Sequence, residues 1–300
     1  MKRKAIQLAN QTIVVSLPSK WVKAQGIKKG DEIDIEERGK ELVIGGEGNA
    51  EQKKIKLDVK GLDNILYRIV GALYKTGYNE IELVYETSKE LETIQKTIKR
   101  SLTGFEIIEQ SKNRVIVKEV SKLEGGEFDR ILKKCFQSLI SSGEESLESF
   151  KKLNSEDMEK IALTDDLINT YCDFCRRILH TNPNIPKVTT KYFIVEQLER
   201  IGDIYKDLCR YMAKKPFKVN KNILELYEEI NIFFCDFYEL FYKFDLKKIE
   251  NFAVKKRRIK EKLNKCINKT TKKEIMVLIY LNNLFETIFD MNGALLTMSL

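Results

Sequence analysis

Residues 195–212, VEQLERIGDIYKDLCRYM, carry two helical stripes at once. Leu198, Ile201, Tyr205, Leu208 and Met212 recur at the three- and four-residue spacing of one helix face, while Glu196, Glu199, Asp203 and Asp207 run along the opposite one. Residues 283–296, NLFETIFDMNGALL, repeat the arrangement. Glu286 and Asp290 stand where Glu199 and Asp203 do, and Phe285, Ile288 and Leu295 where Leu198, Ile201 and Leu208 do. The chain therefore holds an internal repeat. Helical periodicity extends outward from both copies, near 127–152, 155–180, 187–214, 220–244, 247–268 and 271–298, with Pro183, Pro186 and Pro216 as punctuation. Six long helices in two sets of three predict a helical region over 125–300 built as two three-helix bundles, 125–215 and 217–300.

Upstream of Gly125 the period changes from helical to alternating. Residues 53–120 read as a small two-layer α/β domain: KIKLDV and EIELVYE as strands, GLDNILYRIVGALYKTG as a helix closed by Gly77, and FEIIEQSKNRVIVKEV as a hairpin. A second helix, SKELETIQKTIKRSLTG, is expected to start with Ser88 as its N-cap and Glu92 as the capping acid. Residues 1–48 are shorter still, with strands in TIVVSL and EIDIE and a turn or two of helix in SKWVKAQG. So short a segment of small strands cannot bury a stable core alone, and dimerisation is the usual remedy. The fold class is thus α+β and multidomain.

Composition narrows the function. A net charge of +8 leaves room for a polyanionic partner. No apolar run is long enough to span a membrane and the N-terminus opens on charges, so a cytoplasmic chain is expected. Cys172 and Cys175 are the only close pair among six cysteines, and they read as buried reduced thiols inside a helix. The single histidine, His180, suits a helix end before TNPNIP, and one imidazole cannot supply most hydrolase or metalloprotease sites. Without a phosphate-binding loop, dinucleotide fingerprint or nucleophile elbow, no enzymatic activity is expected.

Charge is segregated at the N-terminus. Lys2, Arg3, Lys4, Lys20, Lys23, Lys28 and Lys29 precede any acid, and Asp31, Glu32, Asp34, Glu36, Glu37, Glu41 and Glu47 follow. Such polarity suits a phosphate-facing edge. The order of Asn10 and Thr12, Leu17–Pro18, a short basic helix from Lys20 to Lys23, Gly26 to Asp31 and Leu42 to Ile44 resembles the SpoVT/AbrB-like swapped-hairpin family. That resemblance implies hairpins interleaved between two chains, hence a homodimer, and basic residues facing DNA, here Lys2, Arg3, Lys4, Lys20 and Lys23. The alternative is a head that only dimerises, its lysines in water.

Carboxylates four apart on a helix lie close enough to share a cation, and oxygen ligands favour magnesium, manganese or iron over zinc. Asp165, Asp166, Asn169 and Asp173 offer a second helix with the same spacing. LERIGDIYKDL and LTDDLINTYCDF resemble the PhoU family of phosphate-uptake regulators over roughly residues 125–300. The resemblance implies metal, a divalent ion or an iron centre, on the acidic faces: Glu199 and Asp203 with Asp166 and Asn169, and Glu286 and Asp290 in the repeat. The repeat departs from the pattern, since Ala253, Lys256 and Lys260 stand where partner carboxylates belong. The resulting expectation is a DNA-binding regulator of phosphate uptake and signalling that docks to a phosphate ABC transporter or its sensor kinase. The alternative is a protein-binding adaptor whose head merely dimerises.

Overall fold

The described residues are 2–8, 12–38, 41–45, 53–121, 127–182, 185–268 and 270–300. Asn10, Glu47, Pro183, and the domain boundaries set at 48 and at Gly125 lie outside them. The computed structural model parts into two units, Met1–Gln52 and Lys53–Leu300.

The first unit alternates strands and one short helix: β1 (Ala5–Leu8), β2 (Thr12–Val15), α1 (Ser19–Ala24), β3 (Asp34–Arg38) and β4 (Glu41–Gly45). β1 pairs antiparallel with β2, and β3 with β4. Pro18 sits at the N-cap of α1, its ring already holding φ at −62°, and Gly26 takes the left-handed φ of 66° that ends the helix. Direct pairing puts Ile6 and Leu8 with Val14 on one face of the first hairpin, and Ile13 with Val15 on the other. A two-stranded ribbon with apolar side chains on both faces cannot cover itself. Accordingly, no described residue of this unit is buried.

The second unit begins with β5 (Lys54–Asp58), α2 (Leu66–Lys75), β6 (Glu80–Val84), α3 (Ser88–Ser101), β7 (Phe105–Gln110) and β8 (Arg114–Glu119). Its sheet runs β5-β6-β8-β7, with β5 and β6 parallel and the other pairs antiparallel. Alternate residues Ile81 and Leu83, Val115 and Val117 point into a core completed by Leu66, Val70, Tyr74 and Ile94 of the two helices. This is the two-layer arrangement expected from the sequence. The cap of α3 differs: Thr87 is the N-cap, its hydroxyl accepting from the Glu90 N–H while Glu90 accepts from the Thr87 N–H, so the expected Ser88 and Glu92 do not cap. A capping box places the acid three positions after the cap, with two residues between, which Thr87 and Glu90 satisfy and Ser88 and Glu92 do not.

The rest is helical: α4 (Glu127–Lys152), α5 (Ser155–Leu163), α6 (Asp165–Thr181), α7 (Val188–Lys214), α8 (Lys221–Tyr242), α9 (Leu246–Ile267) and α10 (Lys272–Ser299). The helix expected over 155–180 is broken at Thr164, whose hydroxyl bonds to the Ile161 carbonyl at 2.7 Å and to Ser142 at 3.2 Å. A side chain bonded back to the turn competes with helix continuation. The two sets of three also share one core: α4 packs on α8 and α7 on α10, and buried residues from Phe128 to Leu295 form a single cluster. Within it, Asn231 bridges α4 and α7, donating to the Gly143 carbonyl at 2.7 Å and accepting from Tyr205 at 3.0 Å. The fold is α+β, as expected.

Candidate functional site

In the first unit the five residues expected to face DNA, Lys2, Arg3, Lys4, Lys20 and Lys23, are all exposed. None has an ion-pair partner among the described residues, so their charge is available to an outside anion. Ile6, Leu8, Ile13, Val15, Ile35 and Leu42 are 53–68 % exposed in the same unit. Together these two facts describe a cationic surface on a fold whose apolar faces lack cover.

In the second unit the acidic stripes are drawn against cations of the chain itself. Gly202 lets α6 approach α7, since a Cβ there would lie 3.0 Å from Ile168 and 3.5 Å from Asp165 Oδ1. Lys206, one turn after Asp203, reaches Asp165 Oδ2 at 2.9 Å and also pairs with Asp203. Asn169 donates to the same Asp165 oxygen at 3.0 Å. Burial pushes the Asp165 carboxyl above the ordinary range, against the pull of Lys206. On the next turns Arg176 is almost fully enclosed. Its guanidinium meets Asp173 at 3.0 Å, Glu196 at 2.5 Å, and Glu199. Burial raises the Glu199 carboxyl too, with Arg176 opposing. Asp166 is paired outward with Arg100 of α3, and Asp173 with Lys75 of α2 at 3.3 Å.

These donors do not fit a metal. Asp165 Oδ1 and Asn169 Oδ1 are buried without a hydrogen-bond donor, which is the one feature that would welcome a cation. Yet Glu199, Asp203 and Asp166 are each neutralised by an arginine or lysine, and among the described residues no group of three His, Cys, Asp or Glu side chains is placed to hold an ion. The repeat behaves alike. Lys260 pairs with Glu286 and lies 3.5 Å from Asn282, Lys256 sits 3.8 Å over the Phe289 ring, and Asp290 is exposed. Lysines thus occupy the positions where the sequence lacks carboxylates.

Sequence reasoning missed Arg177. It is 2 % exposed and leaves the helical core to enter the α/β layer. It donates to the carbonyls of Tyr74 at 2.7 Å and Tyr78 at 3.0 Å, pairs with Glu119 at 3.1 Å, and lies over the rings of Tyr74 and Phe105. Beside it Gly77, at φ 89°, leaves room for Thr181, whose Cγ2 would stand 2.6 Å from any Cβ there. The available signal was a cation at a helix position flanked by Phe174 and Ile178, both buried. His180 stands at the end of α6 as expected, and Cys172 and Cys175 are buried free thiols.

Residues 6–55 match the family described as "Antidote-toxin recognition MazE, bacterial antitoxin", so the head is a MazE/AbrB-type domain running just past the boundary at Gln52. A solved structure of a PhoU-like protein from Shewanella oneidensis MR-1 is similar at 9 % identity and a TM-score of 0.39, over 56 % of this chain and 96 % of that one. No curated protein matches. Among the described residues no helix is long and apolar enough to cross a membrane.

Proposed function

We propose that the chain is a regulator of phosphate uptake and signalling of the PhoU type that binds DNA as a homodimer through its head. The observation that carries the reading is the head itself: five exposed cations without an ion-pair partner among the described residues, beside hairpins whose apolar faces call for a second copy. The helical body reads phosphate status in this proposal by contact with a phosphate transporter or its sensor. Support for that half lies in the LERIGDIYKDL and LTDDLINTYCDF stripes. Four of the five head cations are lysines, which grip phosphates more than they read bases, so DNA shape contributes much of any sequence preference.

The test is fluorescence anisotropy of the full chain on the DNA upstream of its own gene, over a salt series, with and without inorganic phosphate. Each neutralised phosphate contributes about −0.9 to the slope of log affinity against log salt. Removing Lys2, Arg3 and Lys4 by alanine substitution in both protomers takes away six contacts, so the slope should flatten by roughly five. An unchanged slope, or no DNA retention by the wild type, favours the adaptor reading in which the head only dimerises.

A further inference from the structure

A cleft of about 680 Å³ lies within the second unit, between α2 and α3 on one side and α6 and α7 on the other. Six arginines and lysines line it against four carboxylates. The carboxylates are all committed: Asp165 to Lys206, Asp166 to Arg100, Asp173 to Lys75 and Arg176, Glu199 to Arg176. Lys96 is committed to Glu92 at 2.6 Å. What remains are two guanidinium groups, Arg68 of α2 and Arg210 of α7, which form no ion pair among the described residues, Arg68 feeling Glu199 and Asp203 only at longer range. Arg68 settles for the hydroxyl of its neighbour Tyr67 at 2.9 Å, and Arg210 is exposed.

We propose that this cleft binds a small phosphorylated anion, held by Arg68 and Arg210. The two guanidinium groups left without an ion pair match a phosphate dianion in charge, and a planar guanidinium donates two parallel hydrogen bonds to phosphate oxygens. The volume falls within the range of small-ligand sites and leaves space for a body attached to the phosphate. Tyr67, half-exposed beside Arg68, offers a ring against that body. Because one arginine comes from the α/β layer and the other from the bundle, the ligand would tie the two layers together. The proposal goes beyond the functional reading above and stands on the cleft alone.

Isothermal titration of the full chain with inorganic phosphate, ribose 5-phosphate and adenosine 5′-monophosphate tests it. Saturable binding of at least one probe, weakened tenfold or more by Arg68→Gln and by Arg210→Gln, is the expected result. If inorganic phosphate alone saturates, the source is the free ion; if only the esters do, it is a metabolite. Both arginines are exposed, so circular dichroism should find the variants folded. Absence of saturable binding by all three probes overturns the proposal, as does unchanged affinity in either variant. DNA anisotropy on the same samples without ligand reports separately on the head, so failure of one reading leaves the other standing.

Discussion

Replacing Arg177 by methionine keeps the length of the side chain and removes its charge and donors. The wild-type guanidinium satisfies two main-chain carbonyls and the Glu119 carboxylate, whose side chain is 12 % exposed. Loss of one partner from a buried ion pair costs about 3–5 kcal/mol, because the other charge stays behind without compensation. Glu119 keeps the Asn79 amide at 2.5 Å, which places the expected loss near the lower end, about 3 kcal/mol. Urea unfolding followed by far-UV circular dichroism would measure it. Hydrogen exchange should localise the loosening to α2 and the end of β8, since the carbonyls of Tyr74 and Tyr78 lose their donor. Adding Glu119→Gln to Arg177→Met should restore part of the loss, because the stranded charge is gone. A loss below about 1 kcal/mol, or strict additivity of the two substitutions, would refute the view that this residue fastens the α/β layer to the helical body.

Two further outcomes are expected. Trp21 is the only tryptophan and lies in α1, so its emission reports on the head alone; its urea midpoint should rise with chain concentration, by about 1.4 kcal/mol of dimer stability per tenfold, and a concentration-independent midpoint would exclude obligate pairing. Glu90 accepts from the main-chain N–H groups of Thr87, Glu86 and Gly61, which hold its carboxyl below the ordinary glutamate value. Its contribution is therefore complete above the unfolded pKa and disappears as pH falls through the lower folded one. Glu90→Gln should flatten the loss of stability between about pH 5 and 3, and an acid limb identical to the wild type would contradict this.

Helix positions were legible because a stripe of apolar residues at helical spacing survives any detail of packing. The 87-residue repeat likewise announced the two halves, although not that α4 and α8, α7 and α10 would merge them into one core. That merger depends on side chains meeting across helices, which periodicity does not record. The break at Thr164 was invisible because it involves neither proline nor glycine, only a hydroxyl turning back on its own helix. At the acidic faces the carboxylates were legible, but not the cations that reach them from other elements. Lys206 and Arg176 each pair with one acid on their own helix and with others across the α6–α7 contact, while Arg100 and Lys75 arrive from the α/β layer, more than sixty residues away in sequence. Arg177 was overlooked for the same reason, since its partners Tyr74, Tyr78 and Glu119 belong to elements read as a separate domain.

The bare hairpins of the head have one more implication. If the amino-terminal ribbon gains its solidity only from a sister copy, then at scarce abundance the number of competent heads follows the square of the amount synthesised. Halving production would cut the number of paired heads roughly fourfold, a steeper response than an unpaired domain gives. Solitary ribbons, being unfolded, would be trimmed by proteases. Supply of the polypeptide would then act as a control dial in its own right, ahead of any small molecule.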